Sequence, residues 1–177
     1  MSVFKKIDCC DLRRRLHIEL RCINRKKSIL SAILFVVIGI ADAIICGNFY
    51  IYEMLILPKS APGRWLFILV WTFIYAILGF TFQIVLAEKS RHCSFPRVRG
   101  CILFVCMMIF NLIWCPLFFG ASAFFSAFLN ILIMILLVFF TAIYFWQVSI
   151  IASIAQFVLE IWLIYCAFLN LGIILIN

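Results

Sequence analysis

"WLFILVWTFIYAILGFTFQIVLA", residues 65–87, is the stretch that decides the fold. It contains no charged side chain, and if it were helical, apolar residues would lie around the whole circumference of the helix. A helix needs about 20 such residues to cross the hydrocarbon core of a bilayer. Backbone amides in lipid must also find partners inside the protein, which a helix provides within one segment. The stretch therefore predicts a transmembrane helix.

Four further apolar runs fill most of the chain, at residues 28–47, 101–119, 123–146 and 149–176. Of the 177 residues, 68% are hydrophobic and 12% are charged, which leaves too little polar surface for a water-soluble domain of this size. Strand-like alternation of polar and apolar residues is absent, which argues against a barrel. We predict an all-α integral membrane bundle of five transmembrane helices over residues 28–177.

Helix-breaking residues mark the predicted connections between these runs. They are Pro58, Pro62 and Gly63 in the first loop, Pro96 and Gly100 in the second, and Gly120 in the third turn. Pro116 together with Gly120 is expected to bend and end the third helix. The last two connections are very short, so helices three, four and five should be antiparallel neighbours.

The basic residues predict the orientation. Nine Lys and Arg residues precede position 28 and four more lie in the second loop, against two in the first loop. Positive charge stays on the cytoplasmic side, so we expect the N-terminus inside and the C-terminus outside, as in a bacterial plasma membrane. The net charge of +8 thus reflects topology and does not indicate nucleic-acid binding.

Residues 1–27 form a basic N-terminal extension that has two interpretations. Leucine and isoleucine recur at helical spacing between the arginines, at positions 12, 16, 20 and 23. This pattern fits an interfacial helix drawn to anionic lipid. The simpler interpretation is a cytoplasmic basic segment that only orients the first helix.

Asp42 and Glu160 fall inside apolar runs, where ionisable residues are costly and often functional. Asp42 lies towards the predicted outer end of its helix, where its carboxyl group could simply reach the membrane–water interface. Glu160 is in the middle of the last helix, and either carries a proton or bonds Gln or Thr side chains of neighbouring helices. The sequence names no partner for either.

Three of the predicted helices each have one face rich in aromatic or polar side chains, given ~100° per residue. The faces consist of Phe67, Trp71, Tyr75 and Leu78; of Asn111, Trp114 and Phe118; and of Trp162, Cys166 and Leu169. Glu160 lies about 160° from Trp162 and faces elsewhere. Packing, or an aromatic belt at the interface, would explain the rings. If the faces converge, they form an apolar pocket with a few polar groups.

The sequence gives no sign of a metal site or of conventional catalysis. Most of the nine cysteines lie within apolar runs, and both histidines lie outside them. Neither a Cys-x-x-Cys pair nor a Cys and His cluster at metal-binding spacing occurs. An acid–base pair, a nucleophile motif and a phosphate-binding loop are also missing. We therefore predict neither catalytic nor metal-binding residues and no required cofactor.

Four segments together resemble the TspO/MBR family, which comprises tryptophan-rich sensory proteins and the translocator protein, or peripheral-type benzodiazepine receptor. They are "PKSAPGRWLFILVWTFIY" at 58–75, "NLIWCPLFFG" at 111–120, "WQVS" at 146–149 and "WLIYCAFLN" at 162–170. The order and spacing agree from about residue 52 to the end. Departures include Lys59 or Ser60 where a tryptophan is frequent, Gly63 in place of a second proline, and Val158-Leu159 in place of Pro-Tyr.

The resemblance implies a five-helix bundle whose first loop covers a ligand pocket. Family members bind porphyrins and haem, and many form homodimers. By position, the pocket residues would be Trp71, Tyr75, Asn111, Trp114, Phe118, Trp162, Cys166 and Leu169. Pro58, Pro62 and Trp65 would belong to the loop that acts as a lid.

The expected function is therefore that of a membrane receptor or sensor for a tetrapyrrole, porphyrin or haem, or for a similar apolar ligand. One alternative is a transporter of porphyrins or other apolar metabolites. The other is a protein that degrades porphyrin under light and oxygen, as the resemblance suggests. Membrane lipid, a small-molecule ligand and a second copy of the chain are the expected partners.

Overall fold

The computed structural model describes residues 16–17, 19–20, 23–46, 54–88 and 93–177. These residues form five long helices and contain no strand. We label the helices α1 (Arg25–Cys46), α2 (Arg64–Ala87), α3 (Ser94–Cys115), α4 (Phe124–Trp146) and α5 (Ile150–Ile176). All five are long and apolar enough to cross a membrane, so the predicted fold class is confirmed.

The helices pack as a ring in the order α1, α2, α5, α4, α3. Helix α1 lies along α2, α2 also contacts α5, and α4 packs between α3 and α5. The predicted adjacency of the last three helices is confirmed. Helix α1 makes its extensive contacts with α2 and touches α3 lightly, so the ring is most loosely closed between α1 and α3.

Helix α3 begins earlier than predicted, because Pro96 and Gly100 belong to its first two turns and not to a loop. Proline is tolerated in a first turn, where its missing N–H would have no intrahelical acceptor. A Cβ at Gly100 would lie 2.8 Å from the ring of Phe145, so the glycine lets α4 pack closely against α3.

The third helical segment ends at Gly120, as expected, but its last turn is not α-helical. Residues Pro116–Gly120 continue the helix as a single π-helical turn, in which the N–H of Ala121 donates to the carbonyl of Pro116 at 2.9 Å. Pro116 has no N–H to donate to the carbonyl of Leu112, and the proline ring clashes with that carbonyl. This clash explains why the helix widens at this position. The left-handed residue of the following connection is Ser122, with φ of 50°, and not Gly120.

The described part of the N-terminal extension contacts the bundle through Glu19. Its carboxylate accepts hydrogen bonds from the Ser149 hydroxyl at 3.0 Å and from the backbone N–H groups of Ile150 at 3.0 Å and Ile151 at 3.3 Å. A carboxylate at a helix N-terminus satisfies donors that the helix leaves unpaired. Most of the predicted interfacial helix lies outside the described residues.

Two glycines bring α1 and α2 into close approach. A Cβ at Gly79 would lie 2.6 Å from the carbonyl oxygen of Ser31 and 2.9 Å from the Cα of Ala32, both backbone atoms of α1. A Cβ at Gly39 would lie 2.7 Å from the ring of Tyr75. Small residues at helix contacts are typical of membrane bundles, where association depends on close packing.

We expect Gly79→Ala to destabilise the bundle by about 1–3 kcal/mol, because the new methyl group would press against backbone that cannot move aside. This cost outweighs the ~1 kcal/mol that alanine gains over glycine in a helix. Unfolding in mixed micelles, followed by circular dichroism, measures the change. Gly120→Ala is the matched control, since its Cβ would meet only Pro116, at 3.9 Å. Equal stability of the two variants would contradict the close approach of α1 and α2.

Candidate ligand-binding site

The predicted aromatic face of α2 points into the bundle. Phe67, Tyr75 and Leu78 are buried and Trp71 is half-buried. Their spacing of four, four and three residues keeps them on one side of the helix. Phe73, on the opposite side of the helix, is exposed. Helical periodicity thus explains which aromatic residues share the inward side.

The π-helical turn after α3 adds one aromatic residue that the sequence prediction did not include. Phe118 and Phe119 are both buried, and their ring centroids lie 5.1 and 5.9 Å from that of Trp114. A π-helical turn holds an extra residue, which carries both phenylalanines to the inside of the bundle. Pro116, a residue with no N–H, was the available signal for this arrangement.

The three predicted tryptophans converge around Phe67. The centroid of the Phe67 ring lies 6.3 Å from Trp71, 6.2 Å from Trp114 and 5.8 Å from Trp162. Trp71 in turn lies 6.4 Å from both Trp114 and Trp162, nearly parallel to the first and edge-on to the second. These separations are typical of aromatic contacts that add stability beyond area burial. We call these four rings the aromatic cluster.

A buried hydrogen bond joins the α2 and α3 faces. The hydroxyl of Tyr75 donates to Oδ1 of Asn111, and both side chains are more than nine-tenths buried. A polar pair in an apolar interior is stable because each group removes the other's desolvation cost. The pair fixes the rotation of α2 relative to α3, and with it the positions of Trp71 and Trp114.

Two cavities adjoin the aromatic cluster, and the larger of these two, of about 100 Å³, lies between α1, α2 and α3. A roomier cavity, of about 320 Å³, lies away from the cluster, at the end of the bundle that holds Glu19 and Ser149. Four predicted site residues line the larger cavity beside the cluster: Trp71, Tyr75, Asn111 and Trp114. Helix α1 supplies a further wall that sequence analysis did not assign, consisting of Val36, Gly39, Ile40, Asp42 and Ala43. Thus Asp42 lies in the wall of the cavity and does not merely reach the interface.

A second cavity, of about 10 Å³, lies between α2, α5 and the end of α3. It is lined by the predicted residues Phe118, Cys166 and Leu169, and by Asn170. Space of this size suits roughly one water molecule. Phe67, Trp114 and Phe119 line both cavities and form the wall between them. The predicted pocket residues therefore divide between two spaces.

Trp162 lines neither of these two cavities. Its ring lies between Phe67, Trp71 and Tyr165, with a centroid separation of 5.2 Å from Tyr165. Trp162 is therefore the member of the aromatic cluster that α5 contributes.

Several buried polar atoms have no hydrogen-bond partner among the described residues. They include the indole N–H groups of Trp71, Trp114 and Trp162 and both amide atoms of Asn170. Trp114 and Asn170 are only 9% and 1% exposed, so water does not reach them from outside. Buried donors are normally paired, so the unpaired indole donors that line the larger cavity make it a candidate ligand site.

The first loop packs against the C-terminal half of α5. The Asn177 side chain exchanges two hydrogen bonds of 3.1 Å with the backbone of Ile56, and the Tyr165 hydroxyl donates to the Ser60 carbonyl at 2.8 Å. Pro58 would lie 2.8 Å from a Cβ at Gly172. Trp65, predicted to belong to the lid and to begin the second helix, occupies the first turn of α2, and the residue is 76% exposed. Its position on the helix side opposite Phe67 explains this exposure.

Glu160 has no part in either cavity, and its Oε2 has no hydrogen-bond partner among the described residues. The suggested bond to a neighbouring Gln or Thr is therefore not formed by this atom. Residues 16–17, 19–20, 23–46, 54–88 and 93–177 contain no three His, Cys, Asp or Glu side chains placed to hold a metal ion.

Comparison with known proteins agrees with this architecture. The model of the TspO/MBR family matches residues 30–176. The tryptophan-rich protein TspO of Chlorobaculum tepidum is 27% identical over 126 residues, which cover 71% of this chain and 78% of that protein. Protein CrtK of Rhodobacter capsulatus is 26% identical, with coverage of 71% and 78%. The translocator protein homolog of Schizosaccharomyces pombe is 29% identical, with coverage of 71% and 77%.

We expect Tyr75→Phe to lower the free energy of unfolding by about 1 kcal/mol, because it leaves the Asn111 carbonyl buried without this donor. Chemical unfolding in detergent micelles measures the loss. Tyr144→Phe is the control, since the Tyr144 hydroxyl accepts a long, exposed hydrogen bond of 3.4 Å from the Arg99 guanidinium. If both variants unfold like the wild type, the Tyr75–Asn111 bond does not hold α2 against α3.

Proposed function

This chain belongs to the TspO/MBR family, and on that premise we propose that it is a membrane receptor for a tetrapyrrole or a similar flat, apolar ligand. Family membership and the names of its relatives support a sensor or translocator in a membrane. We further propose that porphyrin or haem binds at the aromatic cluster. The tetrapyrrole would be a ligand, and the protein would require no cofactor.

One observation supports the proposal above all: Trp71 and Trp114 line the larger cavity, and their buried indole N–H groups, like that of Trp162 behind them, have no partner among the described residues. Flat conjugated rings bury large apolar areas against indole faces and favour stacked or edge-on contacts. A tetrapyrrole also carries carbonyl or ring acceptors for N–H donors. The cluster thus combines the two kinds of contact that such a ligand needs.

The cavity of about 100 Å³ is smaller than a macrocycle requires, since pockets for drug-sized ligands are typically ~300–1,000 Å³. Binding must therefore separate some of the rings. Phe67, Trp114 and Phe119 are the rings that divide the larger cavity from the smaller one. Moving them would join the two spaces and bring Phe118, Cys166 and Leu169 into one pocket with Trp71.

Charge asymmetry supports our proposal that the N-terminus is cytoplasmic in a bacterial plasma membrane. Asn177 and Ile56 meet at one end of the bundle, and Glu19 and Ser149 at the other. The first loop and the C-terminus would then lie outside together. A reporter enzyme fused after Asn177 tests this, because activity in the cytoplasm would refute it. Homodimerisation stays a prediction from the resemblance.

The alternative of transport is favoured by the name of the yeast relative, translocator protein homolog. Porphyrin flux into proteoliposomes separates it from a receptor, which binds without net flux. Porphyrin degradation under light would lower the Soret absorption of the complex during illumination in air. The family and that name favour a receptor or translocator over an enzyme, so we expect that absorption to persist.

We predict that Trp71→Phe weakens protoporphyrin binding at least tenfold, equivalent to about 1.4 kcal/mol. The variant removes an indole N–H and a wide stacking surface from the larger cavity. Quenching of tryptophan fluorescence by protoporphyrin, titrated into the full-length protein in nanodiscs, gives the dissociation constant.

Trp146→Phe, at the end of α4 away from the cluster, is the matched control and should bind like the wild type. Lack of quenching at micromolar ligand would overturn the proposed function. Equal affinity of the wild type and Trp71→Phe would retain a receptor but remove its ligand from this cavity.

A further inference from the structure

One side of α5 carries a line of polar side chains that the aromatic cluster does not use. Ser149, Ser153, Gln156 and Glu160 follow one another at spacings of four, three and four residues. At ~100° per residue, the four lie within about 60° of one another around the helix axis. We call these four residues the polar stripe. It extends about 16 Å along the axis, from the start of α5 to near its middle.

The polar stripe lies against α4, inside the bundle. The Ser153 hydroxyl donates to the backbone carbonyl of Ala142 in α4 at 2.9 Å. Ser149, Ser153 and Gln156 are each 1% exposed or less, and Glu160 is half-buried. The first three members of the stripe are therefore shielded from lipid by protein.

The middle of the polar stripe has unused hydrogen-bonding capacity. Both amide atoms of Gln156 and Oε2 of Glu160 are buried without a partner among the described residues. Side chains four residues apart on a helix have Cβ atoms roughly 5–6 Å apart, so these two groups are neighbours. The Ser153 hydroxyl, one turn before Gln156, donates one bond and still has lone pairs that can accept. The stripe thus offers a hydroxyl, an amide and a carboxyl group in succession.

The Ser149 end of the polar stripe opens on the cavity of about 320 Å³. Ser149 lines that cavity together with polar side chains that include Glu19, Lys27, Gln83 and Glu88. Its hydroxyl donates to the Glu19 carboxylate at 3.0 Å. A polar space of this size has room for several water molecules, each of which needs roughly 30 Å³. Aqueous protons therefore have access to the first member of the stripe.

The Glu160 end of the polar stripe stops in apolar surroundings. Helix α5 packs on α4 and α2, and all residues of these three helices are described. Their only other charged side chain is that of Arg64, in the first turn of α2. Beyond Glu160 the line continues with the apolar residues Leu163 and Ala167. A carboxylate without a nearby cation is costly there, whereas a protonated carboxyl group is tolerated.

The other titratable side chains of these three helices make contacts elsewhere. Tyr75 bonds Asn111, Tyr144 contacts Arg99, Tyr165 bonds Ser60, and Cys166 lines the smaller cavity beside the cluster. Protonation is therefore the means by which the Glu160 carboxyl group loses its charge.

We propose that Glu160 is a proton-binding site inside the membrane and that the polar stripe connects it to the aqueous cavity beside Glu19. A hydronium ion in that cavity gives up one proton and becomes water, and the Glu160 carboxylate becomes a carboxylic acid. Because Leu163 and Ala167 interrupt the line, exchange takes place from the Ser149 end only. The site does not depend on tetrapyrrole binding, since Glu160 lines neither cavity beside the aromatic cluster.

The test follows the infrared carbonyl stretch of the protonated carboxyl group in the full-length protein in lipid bilayers. The band that disappears in Glu160→Gln belongs to Glu160. Its shift after a change from H₂O to D₂O buffer gives the rate of proton exchange. Gln156→Met removes the amide from the polar stripe and keeps an unbranched side chain. Asn170→Leu is the matched control, because it removes another buried, unpaired amide of α5 on the far side of Glu160.

We expect Gln156→Met to retain the band and to slow its exchange at least tenfold, equivalent to about 1.4 kcal/mol of activation free energy. Asn170→Leu should exchange like the wild type. Ser153→Ala should also slow the exchange, and it replaces Gln156→Met if that variant lacks the helical circular dichroism of the wild type. Absence of a Glu160 band in the wild type would overturn the proton-binding site. Unchanged exchange in a folded stripe variant, or equal slowing in Asn170→Leu, would overturn its connection to the cavity.

Discussion

Every backbone amide inside a bilayer must find its acceptor within the protein, and the architecture of this chain follows from that constraint. It requires the apolar runs to be helical, and in the described residues they form α1 to α5. Pro116 is the place where the rule meets a residue that cannot donate. The chain widens there into a π-helical turn, and the widening brings Phe118 and Phe119 together against Trp114.

The interior of the bundle is well satisfied in some places and unsatisfied in others. Tyr75 and Asn111 pair across two helices, and the Ser153 hydroxyl donates to the Ala142 carbonyl at 2.9 Å. The indole N–H groups of Trp71, Trp114 and Trp162 and the amides of Gln156 and Asn170 have no partner among the described residues. Local rules are commonly broken where function requires it. Under the proposed function, the unpaired indoles of Trp71 and Trp114 beside the cavity are such a place, whereas Gln156 lines neither of the two cavities and belongs to the polar stripe of α5.

Helix α1 supplies one wall of the larger cavity although it is the least buried of the five. It contacts α2 closely at Gly39 and Gly79 and leaves space beside α3. That space is the larger cavity, so an aromatic wall from α2 and α3 faces a wall that carries a carboxyl group. The same loose contact between α1 and α3 would let the cavity enlarge, as the proposed binding of a macrocycle requires, without breaking the tighter packing among α3, α4 and α5.

The sequence by itself determined the five helices, their neighbours in the second half of the chain and the faces that carry Trp71, Trp114 and Trp162. It could do so because apolar length and helical periodicity are local properties, and the family motifs cover the same residues. Only the tertiary structure decided that Phe67 lies at the centre of the cluster, that Asp42 lines the cavity and that Trp65 turns outward. It also placed Phe118 and Cys166 in a separate, smaller space. These outcomes depend on which helices are adjacent and how far each is rotated, and distant contacts such as those of Gly79 with Ser31 and Tyr75 with Asn111 set both.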